Sequence, residues 1–218
     1  VPVDRLGEFQ DRAADLGWRG LWAPAMTTGK GGTMGGVCIL APHMVTVTAP
    51  PGLESQLLWD GRAIAAHVHW GVRGGIVIIC AYLNVELGFE GENMAVVWMI
   101  VEYITYLNKA GYGWVIAGDF NMNLATLNSN KWIESVRGRP PTSLLPTCVK
   151  QLRGSHIDMM VVCENLTSMT DHELTVTMDA RLWPHRPTRL NTMAEERVVW
   201  ARVLDEPRAL PRQPPIGC

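Results

Sequence analysis

Three short stretches of this chain put ionisable side chains beside strand-like runs: Gly-Asp-Phe-Asn at 118–121, Ser-His-Ile-Asp at 155–158 and Thr-Asp-His at 170–172. The first closes an apolar run over 114–117, the second opens one over 156–163, and the third precedes one over 174–178. Carboxylates and an imidazole are the groups that move protons, and carboxylate oxygens are hard donors suited to Mg²⁺ or Mn²⁺. Singly, each stretch reads as well as an ordinary turn, because Asp and Asn are common turn formers and a His after a loop is commonly a surface or core residue. Together, at the ends of buried strands where function collects in α/β folds, they read as a site.

The elements that must position them follow from hydrophobic periodicity. Leu6, Phe9, Ala13 and Leu16 recur at helical spacing, which predicts an amphipathic helix over 4–16 ended by Gly17. An aromatic apolar run covers 18–25, a glycine-rich loop 27–36, and strands are expected at 37–41 and 45–48. Residues 62–70 alternate and 76–83 are continuously apolar, the pattern of two paired inner strands joined by the turn 71–75. Met94, Val97, Trp98, Val101, Ile104 and Leu107 predict a long helix over 92–110, stopped by Gly111. A short helix is expected over 129–137, and the last strand over 174–178. Beyond Arg181 the text turns to Pro and Arg, a tail or linker with room for a short helix at 193–204.

At 218 residues, with 47% hydrophobic and 18% charged residues, the chain can bury one sizeable core and lacks the composition of a disordered segment. The formal net charge of -2 excludes a strongly basic body, although the tail is rich in Arg. Five cysteines, with no closely spaced pair, argue against a zinc cluster or a disulfide framework. They fit reduced thiols and an intracellular setting, nuclear or cytoplasmic, with no membrane span or signal peptide. His67 and His69 share one face of a strand without a third ligand nearby, and are expected to pack rather than bind metal. Trp18 and Trp22 are likewise read as packing residues, and Arg62 as the start of a strand or a phosphate contact.

The order Gly-Gly-Val-Cys-Ile-Leu at 35–40, Ala-Tyr-Leu-Asn at 81–84, then the three stretches above, resembles the endonuclease/exonuclease/phosphatase superfamily over about residues 15–180. That superfamily holds DNase I-like nucleases, apurinic endonucleases, retrotransposon endonucleases and sugar-phosphate phosphatases, and the flavour here is that of retroelement and apurinic-type endonuclease domains. The resemblance implies an α/β fold, a four-layered sandwich of two mostly antiparallel sheets with outer helices, occupying residues 1–180 ahead of the tail at 181–218. It assigns Asp119 to accept the proton of the attacking water and Asn121 to orient that water or the phosphate. Asp158 matches the carboxylate that pairs with the catalytic His, here His172, whose imidazolium would face a phosphate oxygen. Asp171 matches a ligand of the divalent ion, Mg²⁺ or Mn²⁺. Tyr82 and Asn84 match a turn beside the phosphate, although the text is Tyr-Leu-Asn where many members read Tyr-x-Pro-Asn, and Ser155 is expected to touch substrate.

Members of the superfamily begin with a strand bearing an Asn and a second ending in Gln-Glu, whose Glu is the main metal ligand. Neither occurs here, Gln10-Asp11 being the one nearby imitation, so the first strands are expected upstream of Val1 and the 218 residues alone are expected to be inactive. The function implied is metal-dependent hydrolysis of phosphodiesters by an endonuclease acting on nucleic acid, DNA above all. The alternatives are a phosphatase acting on sugar or lipid phosphates, and an inactive remnant of a mobile-element protein.

Overall fold

The computed structural model describes residues 2–29, 31–69, 74–85, 87–150, 153–170, 173–176 and 188–191. In chain order these form helix α1 (Leu6–Asp15) and strands β1 (Trp18–Ala23), β2 (Met26–Thr27), β3 (Thr33–Met34), β4 (Val37–Pro42), β5 (Thr46–Thr48), β6 (Leu57–Trp59), β7 (Ala63–His69) and β8 (Ile76–Tyr82). Helix α2 (Gly91–Ala110), strand β9 (Gly113–Asp119) and the short helices α3 (Leu124–Ser129) and α4 (Trp132–Val136) come next. Strands β10 (Gly138–Arg139), β11 (Cys148–Lys150), β12 (Arg153–Ser155), β13 (Asp158–Cys163), β14 (Thr175–Val176) and β15 (Thr188–Arg189) complete the order.

Seven strands join in one sheet ordered β10-β13-β9-β8-β7-β5, with β6 also on β7. Only the central pair β8 and β9 runs parallel; the other ladders are antiparallel. Parallel neighbours need a crossover, and α2 supplies it. One sheet face carries Val77, Ile79, Trp114 and Ile116, which pack with Val97, Ile100 and Ile104 of α2 into the main core. On the other face Ile64, Ala66 and Val68 meet Ala23 and Ile39 of the β1–β4 pair, while α1 rests on β1. Helix, sheet, sheet and helix therefore stack as expected, the second sheet having two strands among the described residues.

The predicted long helix ends where a glycine was expected to stop it. Gly111 takes the left-handed conformation (φ 80°), and its N–H returns to the carbonyls of Asn108 and Leu107. The paired strands β7 and β8 match the expected inner pair, with residues 70–73 of the turn outside the described set. Three local readings change. The loop over 27–36 contains the small β2–β3 ladder, and a hairpin, β11–β12, precedes the site strand β13. The helix expected over 129–137 is the shorter α4, and a further helix, α3, comes just before it, the two separated at Lys131, which turns left-handed (φ 56°); α3 is capped by Asn123, whose side chain accepts the Thr126 N–H at 2.9 Å. The last strand is described only over 175–176, and the helix expected at 193–204 lies outside the described residues.

His67 and His69 stack with ring centroids 4.2 Å apart. The Nε2 of His67 bonds the Gly74 carbonyl at 2.7 Å and that of His69 the Thr48 hydroxyl at 3.0 Å, so both have packing partners. No helix among the described residues is long and apolar enough to cross a membrane.

Candidate active site

Register brings the site residues together. Asp158, the first residue of β13, lies opposite Asp119, the last of β9, and Asp119 in turn lies opposite Tyr82, the last of β8. The Tyr82 N–H donates to the Arg62 carbonyl at 2.8 Å, which extends the row to the residue just before β7. Residues facing each other across ladders project from the same sheet face. Arg62, Tyr82, Asp119 and Asp158 thus form one row across four adjacent strands, on the face towards the β1–β4 pair, where Ile64 and Ala66 also point.

Local sequence explains how the row is held. Gly118 sits where β9 runs hardest against β8, and a Cβ there would collide with the Ala81 carbonyl. Phe120 is fully buried against Trp132, and its N–H donates to the Ile157 carbonyl at 2.8 Å, tying the end of β9 to the start of β13. Asn121 adopts φ 48°, a left-handed conformation that Asn tolerates better than most residues. That turn lets its N–H donate to Asp119 Oδ1 at 3.0 Å, which orients the carboxylate, while its Nδ2 donates to the Leu83 carbonyl at 2.8 Å. The Asn121 amide is thereby oriented by the backbone beside Tyr82.

Three residues outside the expected set support the row: Thr147, Asn93 and Glu92. Thr147 is buried, and its Oγ1 accepts the N–H groups of Ile157 at 3.2 Å and Asp158 at 3.1 Å. The Asn93 side chain, also buried, takes both backbone groups of Asn84: its Oδ1 accepts the Asn84 N–H at 2.7 Å and its Nδ2 donates to the Asn84 carbonyl at 2.8 Å. A further bond from Asn93 Nδ2 to the Gly88 carbonyl at 2.8 Å clips the whole loop after β8. Glu92, one residue earlier, accepts Arg62 Nη2 at 3.2 Å and Trp59 Nε1 at 3.3 Å. The guanidinium of Arg62 lies 5.3 Å from the centre of the Tyr82 ring. A sequence signal existed for Glu92 and Asn93: two polar residues open the predicted helix that follows the Tyr-Leu-Asn segment, ahead of its apolar stretch.

Burial raises the Tyr82 hydroxyl above the ordinary phenol range, and the neighbouring charge of Asp119 adds to the rise; Arg62 acts in the opposite sense. Tyr82 therefore stays a protonated donor throughout the neutral range.

Of the other expected site residues, Asn84 follows the row with its backbone clipped by Asn93, and its Nδ2 lies 3.5 Å from Met34 Sδ. Ser155 is exposed on the β11–β12 hairpin, opposite Cys148, and not in the row. Asp171 and His172 lie outside the described residues. Their neighbours are described: Glu173 bridges to Thr142, and Leu174 donates its N–H to the Thr142 carbonyl at 2.7 Å. Leu174, Thr142, His156 and Asp158 share the lining of a cleft of about 290 Å³. The oxygen donors of Asp119, Asp158 and Asn121 suit a hard divalent ion in kind, although no three His, Cys, Asp or Glu side chains converge on an ion position among the described residues.

No family model and no curated protein matches the sequence. Solved structures match over most of its length. The endonuclease domain of TRAS1, a telomere-specific non-LTR retrotransposon, superposes with a TM-score of 0.58 at 15% identity, over 82% of this chain and 80% of that one. A 3'-5' exonuclease (NExo) from Neisseria meningitidis gives a TM-score of 0.60 at 15% identity, over 88% of this chain and 85% of that one. An AP endonuclease from Archaeoglobus fulgidus gives 0.59 at 15% identity with the same two coverages.

Proposed function

We propose, from the endonuclease/exonuclease/phosphatase (DNase I-like) fold that this chain has, that it is the hydrolytic domain of a metal-dependent nuclease cutting phosphodiester bonds in nucleic acid, DNA in preference. The observation that carries this reading is the row of Tyr82, Asp119 and Asp158 on three adjacent strands. The names of the similar solved structures support the choice of nucleic acid as substrate: an endonuclease domain, a 3'-5' exonuclease and an AP endonuclease.

Phosphodiester hydrolysis needs an activated water, charge relief on the phosphoryl oxygens and help for the leaving oxygen. In this reading Asp119, aimed by the Asn121 N–H, accepts the proton of the water. The amide oxygen of Asn121 positions that water or the phosphate, and the Tyr82 hydroxyl donates to a phosphoryl oxygen. Asp158 pairs with His172 and keeps its imidazolium directed at the phosphate. A divalent ion, Mg²⁺ or Mn²⁺, held by Asp171 and at least one further carboxylate, supplies charge relief when bound.

The test is cleavage of supercoiled plasmid and of an abasic duplex by the full protein with Mg²⁺ and with EDTA, beside a soluble phosphate monoester. Mg²⁺-dependent nicking is expected. Turnover of the monoester alone would move the reading to a phosphatase, and no turnover of any of them would overturn it.

A further inference from the structure

Arg62 is 1% exposed, yet two of its three nitrogens, Nε and Nη1, have no hydrogen-bond partner among the described residues. Its Nη2 is held by Glu92, which is itself tied to Trp59. The backbone of Gly35 lies along the arginine stem, where a Cβ would come within 3.6 Å of Arg62 Cδ. The planar guanidinium is fixed over the Tyr82 ring, and the Arg62 carbonyl accepts the Tyr82 N–H.

Such an arrangement is poor at stabilising a fold. Burying a cation with unspent donors costs free energy, and replacing a buried ion pair by apolar side chains of similar volume is often neutral or stabilising. A Leu or Met would pack on the tyrosine ring as well. What an apolar residue would not supply is a rigid plane carrying a permanent positive charge, next to a tyrosine that stands beside Asp119.

We propose that Arg62 is a positioning residue of the hydrolytic site: clamped by Glu92 and Trp59, it fixes the Tyr82 ring in the row, so that the hydroxyl meets the substrate phosphate at a set place. This rests on the nuclease reading above. Arg62 acts through Tyr82, so its contribution is absent where the Tyr82 hydroxyl is absent.

The experiment is a double-mutant cycle in the full protein, with Mg²⁺-dependent DNA cleavage measured for wild type, Arg62→Met, Tyr82→Phe and the double variant. Arg62→Met is expected to lower kcat by roughly tenfold or more with KM within about threefold, and to add less than about twofold to the loss already caused by Tyr82→Phe. Arg62→Lys, which keeps the charge without the plane, is expected to recover part of kcat. Aromatic NMR spectra of the metal-free protein give a second readout: Arg62→Met is expected to shift the Tyr82 ring signals while those of Tyr103 stay in place. Should Arg62→Met fail to fold, Glu92→Gln, which releases the clamp, takes its place in the same cycle. Additive losses from Arg62 and Tyr82, or unmoved Tyr82 signals, would overturn the proposal while leaving the nuclease reading intact. A wild-type protein that cleaves no DNA would remove the nuclease reading first and this inference with it.

Discussion

Asp119 and Asp158 stand directly opposite each other on antiparallel neighbours, at the one place where β9 ends and β13 begins. The pairing means that neither carboxylate is positioned by a flexible loop: each is the terminal residue of a sheet strand. Substitution by Asn at either position keeps the shape and removes the charge. Each variant is expected to lose about 10²–10⁴-fold in turnover, the usual worth of a general acid/base group, with a melting temperature close to wild type. His172→Ala is expected to fall in the same range. Parallel kinetics and thermal melts check all three, and wild-type activity in Asp119→Asn would remove Asp119 from the mechanism.

Asn93→Ala tests the clip on the loop after β8. The substitution removes the Asn93 amide from the Asn84 N–H and from the carbonyls of Asn84 and Gly88 in a half-buried loop. A loss of about 2–3 kcal/mol is expected, from bonds of this kind left unmade. For a chain of this length that is roughly a 5–10 °C fall in melting temperature. Turnover is expected to drop as well, because the clip holds the segment that follows Tyr82.

Gly118→Ala places a methyl group against the Ala81 carbonyl between two central strands. Backbone cannot yield there as a side-chain tip can, so a loss of about 1–3 kcal/mol is expected. The strain falls one residue from Asp119, and activity is expected to suffer more than stability. A variant as active and as stable as wild type would contradict the close approach of β8 and β9.

The thiols give a pH prediction. Burial pushes the Cys80 thiol up to about 12, with the nearby Cys38 contributing, and raises Cys38 as well. An ordinary thiol titrates near 8.5. The folded state therefore holds the Cys80 proton over a range where the unfolded chain has released it. Stability from this group is fully present below about pH 8.5 and is lost as pH rises towards 12. Tyr82, also raised, acts in the same direction above its ordinary pKa. Melting temperature is expected to decline from about pH 9 upward, and to decline less in Cys80→Ala. At pH 8 an alkylating agent is expected to label the half-buried Cys80 more slowly in the folded protein than on unfolding, and equal rates at Cys80 in the two states would contradict its raised pKa.

Much of this was legible in the text, and for physical reasons. The apolar runs of β8, β9 and β13 show because a strand buried on both faces needs continuous hydrophobic residues. Asp119 shows because it interrupts such a run at its end. Thr147, by contrast, is one of three hydroxyl residues in a Pro-rich stretch, and its role comes from chain segments that meet only in the folded sheet. Arg62 was visible as a residue and opaque as a function, since Glu92, which holds its guanidinium, lies on α2, far away in sequence. The break between α3 and α4 turns on one left-handed Lys131, a conformation that residue type gives little reason to expect.

The row also acts as its own proofreader of assembly. Side chains alternate across a strand, so a slip of one residue between β9 and β13 would turn Asp158 towards the α2 core and present Met159 in its place. A misregistered sheet of this chain would bury a charge and lose its chemistry in one step. On the proposed reading, folding errors here would be silent: only molecules in which β7, β8, β9 and β13 have all found their correct neighbours carry the row, however compact the others become.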